Sequence, residues 1–212
     1  MLAQAGPACF DAPTQLGQMT VEPRKFDGSA GKVEILLNVS SFVDIRVQQV
    51  ADEIVSHTGM TSNFAVAPAN IKTTMAYIDD TGKRMLLYNP GFVEKASHRA
   101  CKDWGITGVI AHEIGHHIKG HTLRGKGVNQ HQLELDADDF AGFVLYRLGA
   151  TLEQAQRATT NLRQAHDTPT HPGTARRLEA VKAGWLRARG IASDEGFYDE
   201  QRNRQAVSQQ NR

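Results

Sequence analysis

The chain has 212 residues, 40% of them hydrophobic and 22% charged, with a formal net charge of +1. That length suits one domain with small extensions and can bury a sizeable core. The near-neutral balance gives no electrostatic basis for binding nucleic acid or an anionic membrane, and the most apolar stretches, Ile35–Val39 and Val109–Ala111, are far short of the roughly 18 residues that span a bilayer.

Residues 1–30, rich in Gly, Pro, Ala and Gln, are expected to form an irregular lead-in. Their opening MLAQAGPACF has neither a basic nor an apolar region, so an intact signal peptide is not expected there; the start of a mature chain fits equally well. Lys32–Val39 reads as a strand, and Asp44–His57 as a helix with a stripe of Ile45, Val47, Val50, Ile54 and Val55. Three β-like runs follow: Asn63–Ala67, Thr73–Ile78 and Arg84–Tyr88. The last two are joined by Asp79-Asp80-Thr81-Gly82, a hairpin signal in which Gly supplies the positive φ. Helices are predicted over Phe92–Ala100, Ile106–Leu123, Gln130–Leu148 with Gly149 as the cap, and Thr151 to about Ala165 from a Thr151-x-x-Gln154 capping box. A fifth runs over about Thr174–Arg189, and residues 193–212 form a polar tail with little to bury. The order, a small sheet first and helices afterwards, predicts one α+β domain over 31–192, with a mostly helical body and a small antiparallel sheet.

Histidine is the unusual count: there are nine, five of them between 112 and 131. His112-Glu113-Ile114-Gly115-His116 is an H-E-x-x-H pattern, which chance would produce about 0.02 times in a chain of this make-up. On a helix the two imidazoles lie one turn apart on one face and can reach one metal ion, with Glu113 about 100° away, beside a water on that ion. Two imidazoles suit Zn²⁺, which lowers the pKa of a bound water from about 15.7 towards 7, where a carboxylate can take its proton. The metzincin spacing would place Gly at 119 and His at 122; Lys119 and Thr122 stand there instead. If the helix continues, His121 is rotated roughly 180° from His112, and His117 also points away, so both are expected to hydrogen-bond within the fold. The candidate third ligand is Glu134, in Glu134-Leu135-Asp136-Ala137-Asp138 on the next helix. Asp138, one turn on, can accept the free N–H of a ligating histidine or remain a solvated helix acid. Asp136 and Asp139 are expected on the surface, and His131 either near the site or exposed.

With these residues the chain resembles the HtpX-like and CAAX-prenyl-endopeptidase group of gluzincin zinc endopeptidases, whose pattern is H-E-x-x-H followed by E-x-x-A-D. His112, Glu113, His116, Glu134, Ala137 and Asp138 all match, His121 falls where that family often has a histidine, and Thr170-His171-Pro172 with Arg177 is similar to its T-H-P segment and following Arg. Asn63-Phe64-Ala65 loosely matches the strand before the catalytic helix, so the likeness covers about 63–182. The family's Gly-rich segment is replaced by Tyr77–Gly91, and its frequent transmembrane helices have no counterpart. The resemblance implies a zincin-like fold and one Zn²⁺ on His112, His116 and Glu134. It also implies Glu113 as general base, His171 as a donor to the developing oxyanion (or an exposed helix entry), and Arg177 as a supporting charge (or a surface ion pair).

The expected activity is hydrolysis of polypeptides by a zinc endopeptidase, with unfolded or misassembled substrates and a periplasmic or exported location coming from the resemblance alone; a cytoplasmic one also fits the sequence. Cys9 and Cys101, bridged, would support export; as two thiols they say nothing of it. The rival expectation is a zinc-binding regulatory or autoinhibited protein whose metal is capped by the tail or by His171. Substrate capture has a physical route in either Thr73–Ile78 or Arg84–Tyr88 as an exposed sheet edge.

Overall fold

The computed structural model describes residues 18–21, 33–36, 41–79, 81–97, 103–123, 127–161 and 165–190. Cys9, Cys101 and the predicted tail lie outside them. In chain order the elements are β1 (Gln18–Val21), β2 (Val33–Leu36), α1 (Ser41–Ser56), β3 (Ala65–Pro68), β4 (Thr74–Ile78) and β5 (Arg84–Tyr88). They continue with α2 (Pro90–Ser97), α3 (Trp104–Ile118), a 3₁₀ turn at His121–Leu123, α4 (Gln130–Arg147), α5 (Leu152–Asn161) and α6 (Thr174–Ala188). The α+β expectation holds, and the body is mostly helical.

The sheet differs from the expectation. β4 and β5 form the predicted antiparallel hairpin, but β3 lies parallel to β5, Ala65 opposite Met85, so the three-stranded sheet is mixed with β5 in the centre. The reason lies in β5 itself. Met85 and Leu87 pack into one apolar cluster with Ile35, Leu86 and Tyr88 into the main core with Ile54 and Ile110, so the strand has no solvent face and is flanked on both sides. Its turn is held by Asp79, whose carboxylate accepts from Thr81 N–H at 3.0 Å and Lys83 N–H at 2.8 Å, while Gly82 takes φ 86°. A second correction concerns the lead-in: β1 pairs antiparallel with β2, Gln18 opposite Leu36, inside the segment expected to be irregular.

α1 buries Val47, Ile54 and Val55 of the predicted stripe, with Ala51 beside them and Val50 half-buried. α3 runs through the core between α1, β4, α4 and α5. It starts at Asp103, whose carboxylate accepts from Gly105 N–H at 2.7 Å and Ile106 N–H at 3.2 Å. Its end is the third correction: the helix stops at Ile118, and Gly120 at φ 68° turns the chain into the 3₁₀ segment that the sequence reading had joined to the helix. The Thr151–Gln154 capping box forms as expected, each backbone N–H bonded by the other's side chain, and Gly149 adopts φ 90°.

α4 and α6 touch almost backbone to backbone. A Cβ on Gly142 would lie 1.9 Å from the Val181 carbonyl oxygen, and one on Gly184 would lie 1.8 Å from that of Asp139. Gly184→Ala is therefore expected to lower stability by about 2–3 kcal/mol through overpacking, although Ala favours a helix over Gly by about 1 kcal/mol. The midpoint of urea unfolding checks this; an unchanged or higher midpoint would mean that the crossing has slack.

Candidate metal centre

α3 presents His112, Glu113 and His116, α4 presents Glu134 and Asp138, and α6 presents Arg177. The close approach of α3 to α4 depends on Gly115, where a Cβ would sit 3.2 Å from the Ala137 Cα and 3.1 Å from Phe140 Cδ1. Across that seam His112 Nε2 lies 3.3 Å from Glu134 Oε2, His116 Nε2 lies 3.4 Å from Glu134 Oε1, and the two Nε2 atoms are 3.1 Å apart. His112, His116 and Glu134 each offer one donor atom within 4.8 Å of the others, and they can hold a metal ion. The donor set fits: two imidazole nitrogens and a carboxylate, all aimed at one point in a largely buried place.

His112 is supported from behind. His112 Nδ1 donates to Asp138 Oδ1 at 2.8 Å, and Arg177 grips the same carboxylate in a fork, Nε to Oδ2 at 2.7 Å and Nη2 to Oδ1 at 2.8 Å. Asp138 is 2% exposed and Arg177 8%, so neither is the solvated group that the sequence left open. Burial pulls the His112 imidazole down, but the Asp138 and Glu134 carboxylates together push it up to about 10. Burial would raise the Glu134 carboxyl; hydrogen bonds from the two histidines outweigh it and hold it well below the carboxylate range. For Asp138, burial likewise acts upward and is outweighed by His112 and Arg177.

Glu113 is half-buried beside this triangle, and its Oε2 accepts from the backbone N–H of Ala76 at 2.7 Å. β4 is an edge of the sheet, and it bonds to β5 through its odd-numbered register: Asn89 N–H donates to Thr73 O at 2.7 Å and Asp79 N–H to Lys83 O at 3.0 Å. The even-numbered groups, Ala76 among them, face away from β5. Of the two candidate edges, Arg84–Tyr88 is excluded because β5 is central. A cavity of about 410 Å³ opens beside His112 and Glu113, walled by Ile106, Val109, Ala155 and Val181.

His171 lies near Glu134, about half exposed, with Nε2 3.8 Å from Glu134 Oε2 and Nδ1 hydrogen-bonded to Thr170 Oγ1 at 2.8 Å. The segment carrying it is tied down by His131, whose Nε2 donates to Thr168 O at 2.6 Å, and by the pairing of Arg176 with Asp167 at 2.8 Å. Asp139 pairs with Arg187 of α6. His117 faces the sheet: it stacks on Phe64 at 5.3 Å and donates from Nε2 to Met85 O at 2.7 Å. Burial pushes its pKa down to about 4. His121, expected on the far side of the helix, is brought by the Gly120 turn to 3.0 Å from His116, Nδ1 to Nδ1. The Ala76 N–H was not foreseen, since a main-chain donor has no sequence signature. No helix among the described residues is long and apolar enough to cross a membrane. Comparison with family models, curated proteins and solved structures gives no match, and the reading of this site rests on its own geometry.

Proposed function

We propose that the protein is a zinc-dependent endopeptidase of zincin type, with one ion held by His112, His116 and Glu134. The observation that carries this is the carboxylate of Glu113, which stands free of the ligand triangle yet is fixed beside it by the Ala76 N–H. A purely structural metal site has no use for such a base. When bound, zinc would polarise the scissile carbonyl and acidify a water. The chain supplies the rest. Glu113 Oε2 is anchored, which leaves Oε1 to take the proton of the attacking water and return it to the leaving nitrogen. The Ala76 N–H is taken by Glu113, but the other outward main-chain groups of the β4 edge can align an extended polypeptide by hydrogen bonds, and the adjoining cavity can take an apolar side chain of it. His171, with Nε2 3.8 Å from Glu134 Oε2, would donate to charge developing on the carbonyl oxygen.

The same histidine supports a second reading. Its Nε2, 3.8 Å from Glu134, is near enough for a small loop movement to cap the ion and silence the enzyme. One experiment treats both. Casein is incubated with protein stripped by chelator and then supplied with zinc, alongside His171→Ala. Cleavage that is lost on stripping and restored by zinc supports the peptidase; zinc bound stoichiometrically without cleavage by either protein sinks it. With wild type active, slower cleavage by His171→Ala favours the donor, and faster cleavage favours the cap.

A further inference from the structure

We propose that His121 is a positioning residue that commits His116 to metal binding by accepting a hydrogen bond from its Nδ1–H; this rests on the metal reading above. The two Nδ1 atoms are 3.0 Å apart, and both rings are about 1% exposed. At that distance, away from water, two lone pairs repel and two N–H groups clash, so one nitrogen donates and the other accepts. Chemistry decides which. His116 Nε2 faces His112 Nε2 at 3.1 Å and Glu134 Oε1 at 3.4 Å, on the ligand side, and a ligating nitrogen must present a lone pair. A neutral imidazole carries one N–H, so the proton of His116 belongs on Nδ1. His121 Nδ1 is then the acceptor, and its own proton lies on Nε2, 3.9 Å from an Asp136 carboxylate oxygen, which is beyond hydrogen-bond distance but favours an N–H there over a lone pair.

The two ligand arms are therefore built differently. His112 is backed by a carboxylate clamped by Arg177, and His116 by a neutral ring. Two carboxylates behind the ligands would add a second buried negative charge next to Glu134; a neutral acceptor fixes the tautomer without it. The device depends on the broken helix end. If α3 continued past Ile118, His121 would point elsewhere, and Gly120 at φ 68° is what returns it to His116.

The test measures zinc affinity by competition with a chromogenic chelator. Variants are His121→Leu, which fills space without an acceptor, and His121→Asn, whose Oδ1 takes about the place of the imidazole Nδ1. His121→Leu is expected to weaken zinc binding by about 10–100-fold, and His121→Asn to stay within a few-fold of wild type. A role limited to packing would give the opposite order, since Leu matches the volume better. Melting of the zinc-free proteins reports folding. Should His121→Leu melt early, the Asn variant and the ring tautomers, read from long-range ¹⁵N–¹H spectra of the zinc-loaded wild type, decide the matter: His121 protonated at Nε2 supports the proposal, and at Nδ1 overturns it. Equal affinity of wild type and His121→Leu, or Asn binding no better than Leu in a folded protein, also overturns it. A wild type that takes up no zinc overturns the metal reading itself, a distinguishable result.

Discussion

Glu113→Gln is expected to load zinc as the wild type does and to hydrolyse polypeptide about 10²–10⁴-fold more slowly. Gln has the same reach, and its carbonyl oxygen can still accept from Ala76 N–H, so the side chain stays where the carboxylate stood. It cannot take a proton. The loss should therefore fall on kcat, with KM little changed, because the residue acts in the transition state and not in holding substrate. Metal content measured on the same samples separates this from a damaged site. Hydrolysis that survives with zinc bound would mean that Glu113 is not the base, and the peptidase mechanism would fail with it.

Arg177→Met should be costly in another way. The guanidinium is the only cation among the described residues hydrogen-bonded to Asp138 apart from the His112 ring, which must stay neutral to bind a metal. Removing it leaves a buried carboxylate without its clamp, typically a loss of about 3–5 kcal/mol. His112 then loses a rigid partner, and zinc affinity should drop by about 10–100-fold. The double variant Arg177→Met, Asp138→Leu separates the two effects. Stability should return in large part, because no orphan charge remains, while zinc affinity stays low, because His112 Nδ1 has no acceptor. Denaturation midpoints that barely move in Arg177→Met would show that solvent reaches this pair.

The cluster of His112, His116 and Glu134 was legible in the sequence because it is set by local periodicity: His116 is four residues on from His112, and Asp138 four on from Glu134, each pair on one face of its helix. The β4–β5 hairpin and the Thr151–Gln154 capping box were legible because their signals are equally local. What escaped was set by distant partners or by single backbone angles. The parallel place of β3 depends on what packs on each face of β5, which no stretch of β3 itself encodes. The position of His121 turns on one dihedral at Gly120; the glycine was visible, but Gly125-Lys126-Gly127 just beyond is an equally good stop, and the choice between them is not written in the local sequence. Whether Arg177 was a surface ion pair or a buried clamp could not be judged from α6 alone, because the answer lies with Asp138 on α4.

The close crossing of α4 and α6 has a consequence for the life of the molecule. α6 carries Arg177 and is seated on α4 through Gly142 and Gly184, so the centre that begins at His112 is not complete until a helix 65 residues further along has docked. On the peptidase reading, a nascent chain on the ribosome holds its base and two histidines but no assembled blade. A molecule in which α6 has come away from α4 is disarmed in the same way, because α6 carries the clamp. Self-digestion is then confined to encounters between a folded copy and an unfolded one, and its rate should rise with protein concentration.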